Sequence, residues 1–203
     1  MSSIKLTADS GGGTFEIKAP SSSGNTRVLT LPDTGNATVL TTDTSVGKIL
    51  QVVSTTKTDQ FTTTSTSMTD VTGMSATITP SSASSKIFID VKLLVGGTAN
   101  NYASFNLLRD STHIAVPTGS ALWTGSGRNT SFGALSHENS YQLVQTGLNF
   151  LDTPNTTSAT TYKLQVSGYS SRTISINKPT SGDTNYTYPA NGVSTITLME
   201  VAA

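Results

Sequence analysis

Apolar and polar residues alternate with a period of two along most of the chain, and turn-forming residues cut the alternation into short segments. The clearest run is 86–93, where Ile87, Ile89, Val91 and Leu93 share one face. Likewise Tyr162, Leu164, Val166 and Gly168 oppose Lys163, Gln165 and Ser167. Read this way, strands are predicted at 48–54, 61–64, 74–79, 86–95, 103–109, 113–116, 130–135, 142–151, 161–168, 172–176 and 194–201. Gly, Pro, Asn and Ser turns separate them, and no window carries an apolar stripe of helical period. Many short strands of this kind predict an all-β fold, an antiparallel jelly-roll sandwich spanning 47–203.

Residues 1–46 read differently. Ile4–Thr7, Thr14–Lys18, Arg27–Pro32 and Ala37–Leu40 are short alternating strands, with Gly11-Gly12-Gly13, Ser21-Ser22-Ser23-Gly24 and Pro32-Asp33-Thr34-Gly35 read as the turns between them. So few sizeable apolar side chains cannot build an independent core. The segment is expected to pack on something else, with copies of itself the economical choice, so it is read as an attachment and trimerisation segment.

Three runs put apolar groups on both faces: Phe105-Asn106-Leu107-Leu108, Leu148-Asn149-Phe150-Leu151 and Ile196 to Val201. A strand greasy on both sides lies between layers or faces a partner chain. Together with a C-terminus tied into such a strand, this predicts a homo-oligomer.

Composition sharpens the picture. Ser and Thr make up about a third of the 203 residues, while charged residues are 12%, about half the usual share. Threonine suits half-buried pleated surfaces and serine suits turns. Lys plus Arg and Asp plus Glu number 12 each, giving zero formal net charge. That argues against nucleic acid or an anionic membrane as partner, because both call for clustered cations. The absence of cysteine excludes disulfides and thiolate metal sites. No apolar run approaches the length of a spanning helix, and the N-terminal residues lack a signal-peptide core. The chain is expected to be made in a cytoplasm and to reach any outside role through assembly.

Candidate chemistry is sparse. His113 and His137 are the two histidines, one in a turn entering a strand and one in a polar loop, and both are read as exposed. No Gly-x-Ser-x-Gly elbow supports a nucleophilic serine. Glu138, Asp110, Asp152 and Asp183 are loop carboxylates, but no spacing pairs two of them across a cleft. Gly96-Gly97 reads as a turn, and no metal-ligand or phosphate-loop spacing occurs. No enzymatic activity, cofactor or metal is expected.

The residues with binding character are aromatic and polar. Trp123, Arg128 and Asn129 share a glycine-rich loop, and Asn185, Tyr186 and Tyr188 lie in a second long loop, 177–192, with Tyr169 nearby. Exposed aromatic rings stack on sugar faces while adjacent amides bind hydroxyls. The same aromatics also serve to plug the ends of a sandwich or a subunit interface. Clustering of 100–101, 123–129 and 177–192 on one exposed end would favour binding, and burial among subunits would favour architecture.

The N-terminal strands also carry a resemblance. Ile4 to Asp9, the Gly-Gly-Gly-Thr-Phe-Glu-Ile run and Leu29-Thr30-Leu31-Pro32-Asp33-Thr34-Gly35-Asn36-Ala37-Thr38-Val39-Leu40 resemble the short β-repeat of tail fibres and other fibrous proteins of tailed bacteriophages, especially marine ones. The stretch from Gly47-Lys48-Ile49-Leu50 to Leu198-Met199-Glu200-Val201 is similar to the trimeric jelly-roll tips of such fibres, which resemble the tumour-necrosis-factor fold. The resemblance implies a homotrimer on a virion. Phe15, Ile17, Leu29, Leu31 and Pro32 would hold it to other tail or capsid proteins, and the head would face host-surface glycan. The chain departs from long tail fibres in having room for neither a large anchor domain nor a shaft. A short fibre, a subunit of a larger fibre and a capsid or tail decoration protein all fit it.

Overall fold

A computed structural model of the chain describes residues 3–7, 14–18, 24, 48–118, 130–181 and 191–203. The chain divides into two compact units, Met1–Ser45 and Val46–Ala203. In the first, β1 (Ser3–Thr7) pairs antiparallel with β2 (Thr14–Lys18), Ile4 opposite Ile17 and Leu6 opposite Phe15. Phe15 and Ile17 thus lie on a hairpin strand, whereas Leu29, Leu31 and Pro32 fall outside the described residues.

The second unit is a sandwich of two antiparallel sheets with no helix among the described residues. The first sheet holds β3 (Ile49–Lys57), β4 (Phe61–Thr63), β6 (Lys86–Gly97), β10 (Leu143–Asp152), β12 (Ile174–Ile176) and β13 (Ser194–Val201). Its spine is β6, which pairs with β10 along one edge and with β13 and then β12 along the other. The second sheet holds β5 (Thr69–Ile78), β7 (Asn101–Arg109), β8 (Thr112–Ile114), β9 (Phe132–His137) and β11 (Thr160–Gly168), in the order β5-β11-β7. There β8 and β9 follow one another along the free side of β7. Every pairing is antiparallel, as the alternating pattern requires.

The inward residues of the two sheets make one core. Ile87, Ile89, Val91 and Leu93 of β6 meet Phe105 and Leu107 of β7 and Leu164 and Val166 of β11, all essentially solvent-free. Each such side chain contributes about 1.5–3 kcal/mol on burial, which is why the period of two is held so strictly. Phe105 stacks on Phe132 with ring centroids 4.9 Å apart.

The two-faced runs resolve separately. Phe105 and Leu107 are core, and Leu108 is buried on the opposite face. Leu148 and Phe150 pack against the core from β10, while Leu151 points outward and is exposed. The C-terminal β13 is a central strand between β3 and β6, as the sequence suggested. Gly96 and Gly97 prove to be the end of β6 rather than a turn. A Cβ on Gly96 would lie 2.3 Å from the Lys178 carbonyl, so glycine there lets a loop close over the strand.

Candidate functional site

The β6–β7 turn, the segment 169–173 and the loop 138–141 are tied together by one buried amide and the groups around it. The Asn101 side chain is solvent-free. Its Nδ2 donates to the carbonyls of Arg172 (3.0 Å) and Thr173 (3.3 Å), and its Oδ1 accepts from the amides of Tyr102 (2.9 Å) and Tyr169 (3.2 Å). All four bonds available to an asparagine amide's two N–H groups and its oxygen's two lone pairs are made. Thr98 N donates to Thr173 O, Tyr169 N to Tyr102 O, and Arg172 Nη1 to Ala99 O. Ala99 N in turn donates to Ser140 Oγ, and the Ser140 carbonyl accepts from Thr180 N and Ser181 N.

The turn that carries Tyr169 holds Ser170 and Ser171 both at positive φ (55° and 53°), and Asn100 is at 58°. Left-handed non-glycine residues persist only where surrounding bonds fix them. Here the Asn101 bonds do so, and the result is a fixed pair of tyrosines. Tyr102 is 48% exposed and Tyr169 63%, and their rings meet edge to face at 6.2 Å and 87°. Tyr141, next to Ser140, is also exposed. Neither hydroxyl of the pair has a hydrogen-bond partner among the described residues. Two rigid amphipathic rings with free hydroxyls suit a ligand that is apolar on one side and polar at its edge.

The sequence-predicted binding residues fare unevenly. Trp123, Arg128, Asn129, Asn185, Tyr186 and Tyr188 lie outside the described residues, as does Asp183. Of the loop stretches, Asn101 and Asn177 are buried structural amides rather than exposed binding groups. Asn177, at φ 66°, donates from Nδ2 to the Lys57 and Asp59 carbonyls and accepts the Ser194 hydroxyl at 2.6 Å. Tyr169 was legible as a loop aromatic. Tyr102 was not, because it sits inside β7, and only the β7–β11 register (Ser104 opposite Ser167) brings it beside a residue 67 positions away.

The histidines differ from expectation. His113 lies on β8, half-buried, and burial lowers its pKa from the ordinary 6.5. His137 ends β9 rather than lying in a loop. His113 Nε2 is 2.9 Å from Ser131 Oγ. That hydroxyl donates to Ile114 O and accepts from Leu107 N, so it staples strand edges and has no free proton to surrender as a nucleophile.

Most of the carboxylates among the described residues are likewise engaged, and Glu138 lies exposed in the loop after β9. Asp152, a strand end rather than a loop, takes both Arg109 Nη1 contacts (3.0 and 2.9 Å) and the Tyr162 hydroxyl (2.7 Å). Burial, then that bond, pushes the Tyr162 hydroxyl far above the usual tyrosine range. Asp110 receives Thr161 N, Asp70 receives Lys163 and Gln165, and Asp90 receives Asn149. Among the described residues no group of His, Asp and Glu is placed to hold a metal.

No protein-family model matches the chain, and no curated protein matches it. Among solved structures, the VP2 subviral particle of infectious bursal disease virus aligns with a TM-score of 0.38 at 15% identity, over 86% of this chain and 37% of that one. The structure of the Gx strain of the same virus aligns with a TM-score of 0.34 at 15% identity, over 98% and 50%. The chain therefore spans half or less of the length of those proteins. Likeness this distant carries no conclusion about what the chain does.

Proposed function

We propose that this chain is a non-enzymatic structural protein of a virion, a homotrimeric tail-fibre or short-fibre subunit assembled in the host cytoplasm. Its sandwich presents a binding end to host-surface glycan. The observation that carries the attachment role is the rigid, exposed Tyr102–Tyr169 pair. Two tyrosines fixed in solvent by a network of buried bonds make a preorganised amphipathic contact surface, which suits a ligand-binding end. The phage assignment is supported by the likeness of the 29–40 stretch to fibre repeats, and the non-enzymatic reading by the structural engagement of most of the described carboxylates and of Ser131. A capsid or tail decoration role is the second reading. It is favoured by the exposed apolar residues Ile49, Val52 and Leu151 on the other sheet.

The test is adsorption of the purified chain to an array of bacterial surface polysaccharides. Ring area covered by a ligand is worth about 25 cal/mol per Å², so two rings each covered over about 30 Å² contribute about 1.4 kcal/mol or more to retention. Tyr102→Ala with Tyr169→Ala is therefore expected to weaken glycan retention about tenfold or more while leaving the melting temperature within a few degrees. Unchanged retention in the double variant would move the contact off this pair. No retention by wild type on any glycan would favour the decoration role.

A further inference from the structure

Register places one apolar row across the full width of the first sheet, on the face turned away from the core. Val52 of β3 is opposite Met199 of β13, Met199 is opposite Phe88 of β6, and Phe88 is opposite Leu151 of β10. Beside this row lie Ile49, Leu50 and Val201, the last brought opposite Ile49 by a bulge after Glu200. Ile49, Leu50 and Val52 are 45–59% exposed and Leu151 48%. On the other side the row gives way at once to Ser54, Thr197, Asp90 and Asn149. The outer face of the second sheet shows the ordinary alternative, with Thr77, Thr161, Lys163, Gln165 and Asp70 bonded to one another.

We infer that this outer face of the β3-β13-β6-β10 sheet is where a second copy of the chain packs; the inference rests on the homotrimer proposed above and gives it an interface. Three observations choose a copy of this chain as the occupant. The row and its flanking residues set seven apolar side chains side by side on one face, four of them 45–59% exposed, and a contiguous exposed apolar patch on a monomer is usually functional. The chain is formally neutral, with 12 cations and 12 anions, so no net repulsion opposes self-association. Finally, the chain enters the sandwich at the patch itself: Lys48 O accepts from Ala202 N beside Ile49. Copies joined through residues 1–46 would hold these patches near one another at high effective concentration.

The cysteine-free sequence makes the test clean. Val52 and Leu151 stand three strand spacings apart, roughly 14 Å, so cysteines there cannot bridge within one copy, where Cα atoms beyond about 7 Å are out of reach. The full chain carrying Val52→Cys with Leu151→Cys is oxidised and run on a non-reducing denaturing gel. Ser75→Cys, on the outer face of the second sheet, is the control, and light scattering gives the wild-type mass. Expected are a trimeric wild type and covalent dimers and trimers from the Val52/Leu151 variant alone. A trimeric wild type whose Val52/Leu151 variant cross-links no more than the control would overturn the interface and leave the trimer standing. A monomeric wild type without cross-links would overturn both.

Discussion

Glu200 is a charged residue at a position where alternation demands an apolar one. It follows Leu198 on the inward face of β13 and is solvent-free. Burial alone would raise its pKa. Bonds from Ser81 N (2.7 Å), the Ser81 hydroxyl (2.6 Å) and Gln51 Nε2 (2.6 Å) more than reverse this and hold the carboxyl at about 2. The side chain ties the last strand to the turn that precedes β6. Because the folded pKa lies below the ordinary 4.5, the contribution to stability is complete above pH 4.5 and is lost as pH falls through about 2. Asp70, lowered by its Lys163 and Gln165 bonds, acts in the same direction. Melting temperature should therefore drop as pH is taken from 5 to 2, and Glu200→Gln should flatten part of that drop while lowering the melting temperature at neutral pH. A parallel drop in both proteins would assign the acid sensitivity to other carboxylates.

Gly147 matters as part of β10 rather than as a turn residue. Its φ is not positive, so glycine is not needed for backbone conformation. A Cβ there would lie 1.9 Å from the Val91 carbonyl, and β10 could keep its ten-residue register with β6 only by shifting. Gly147→Ala is expected to cost about 2–4 kcal/mol, which for a unit of this size lowers the melting temperature by roughly 5–15 °C. Gln145→Ala, exposed on the same strand, should stay within about 1–2 °C, and thermal denaturation of the two side by side decides it. The same scale shows how far the sequence reaches. All eleven strands described in the sandwich were legible, because an inward apolar residue every second position leaves a local signature. Strand starts and ends were less so. β5 begins at Thr69 rather than at 74, since Thr69-Asp70-Val71-Thr72-Gly73 offers one apolar residue and a glycine at φ 80°. β3 runs on to Lys57, whose buried ammonium is held 2.8 Å from Asp59. Such partners come from tertiary packing, and no period in the sequence announces them. The tyrosine pair and the apolar row escaped for the same reason, because both exist only once the register is set.

Among the described residues, four pairs of opposite charges neutralise one another: Lys57 with Asp59, Lys92 with Asp90, Arg109 with Asp152 and Lys163 with Asp70. With zero formal net charge there is little long-range field to steer an approaching surface. Attachment through Tyr102 and Tyr169 would then depend on ring stacking and hydroxyl bonds, which act over a few ångströms and are scarcely screened by salt. Retention on a bacterial polysaccharide should change less than about twofold between low and high sodium chloride, because screening acts chiefly on separated exposed charges. A charge-driven contact would behave otherwise, weakening about tenfold or more over the same range. The measurement therefore separates the two aromatic clusters that sequence and structure bring forward. Salt-insensitive retention abolished by the tyrosine substitutions places binding on the Asn101-braced pair. Steep salt dependence abolished by Arg128→Ala places it instead on the loop that carries Trp123.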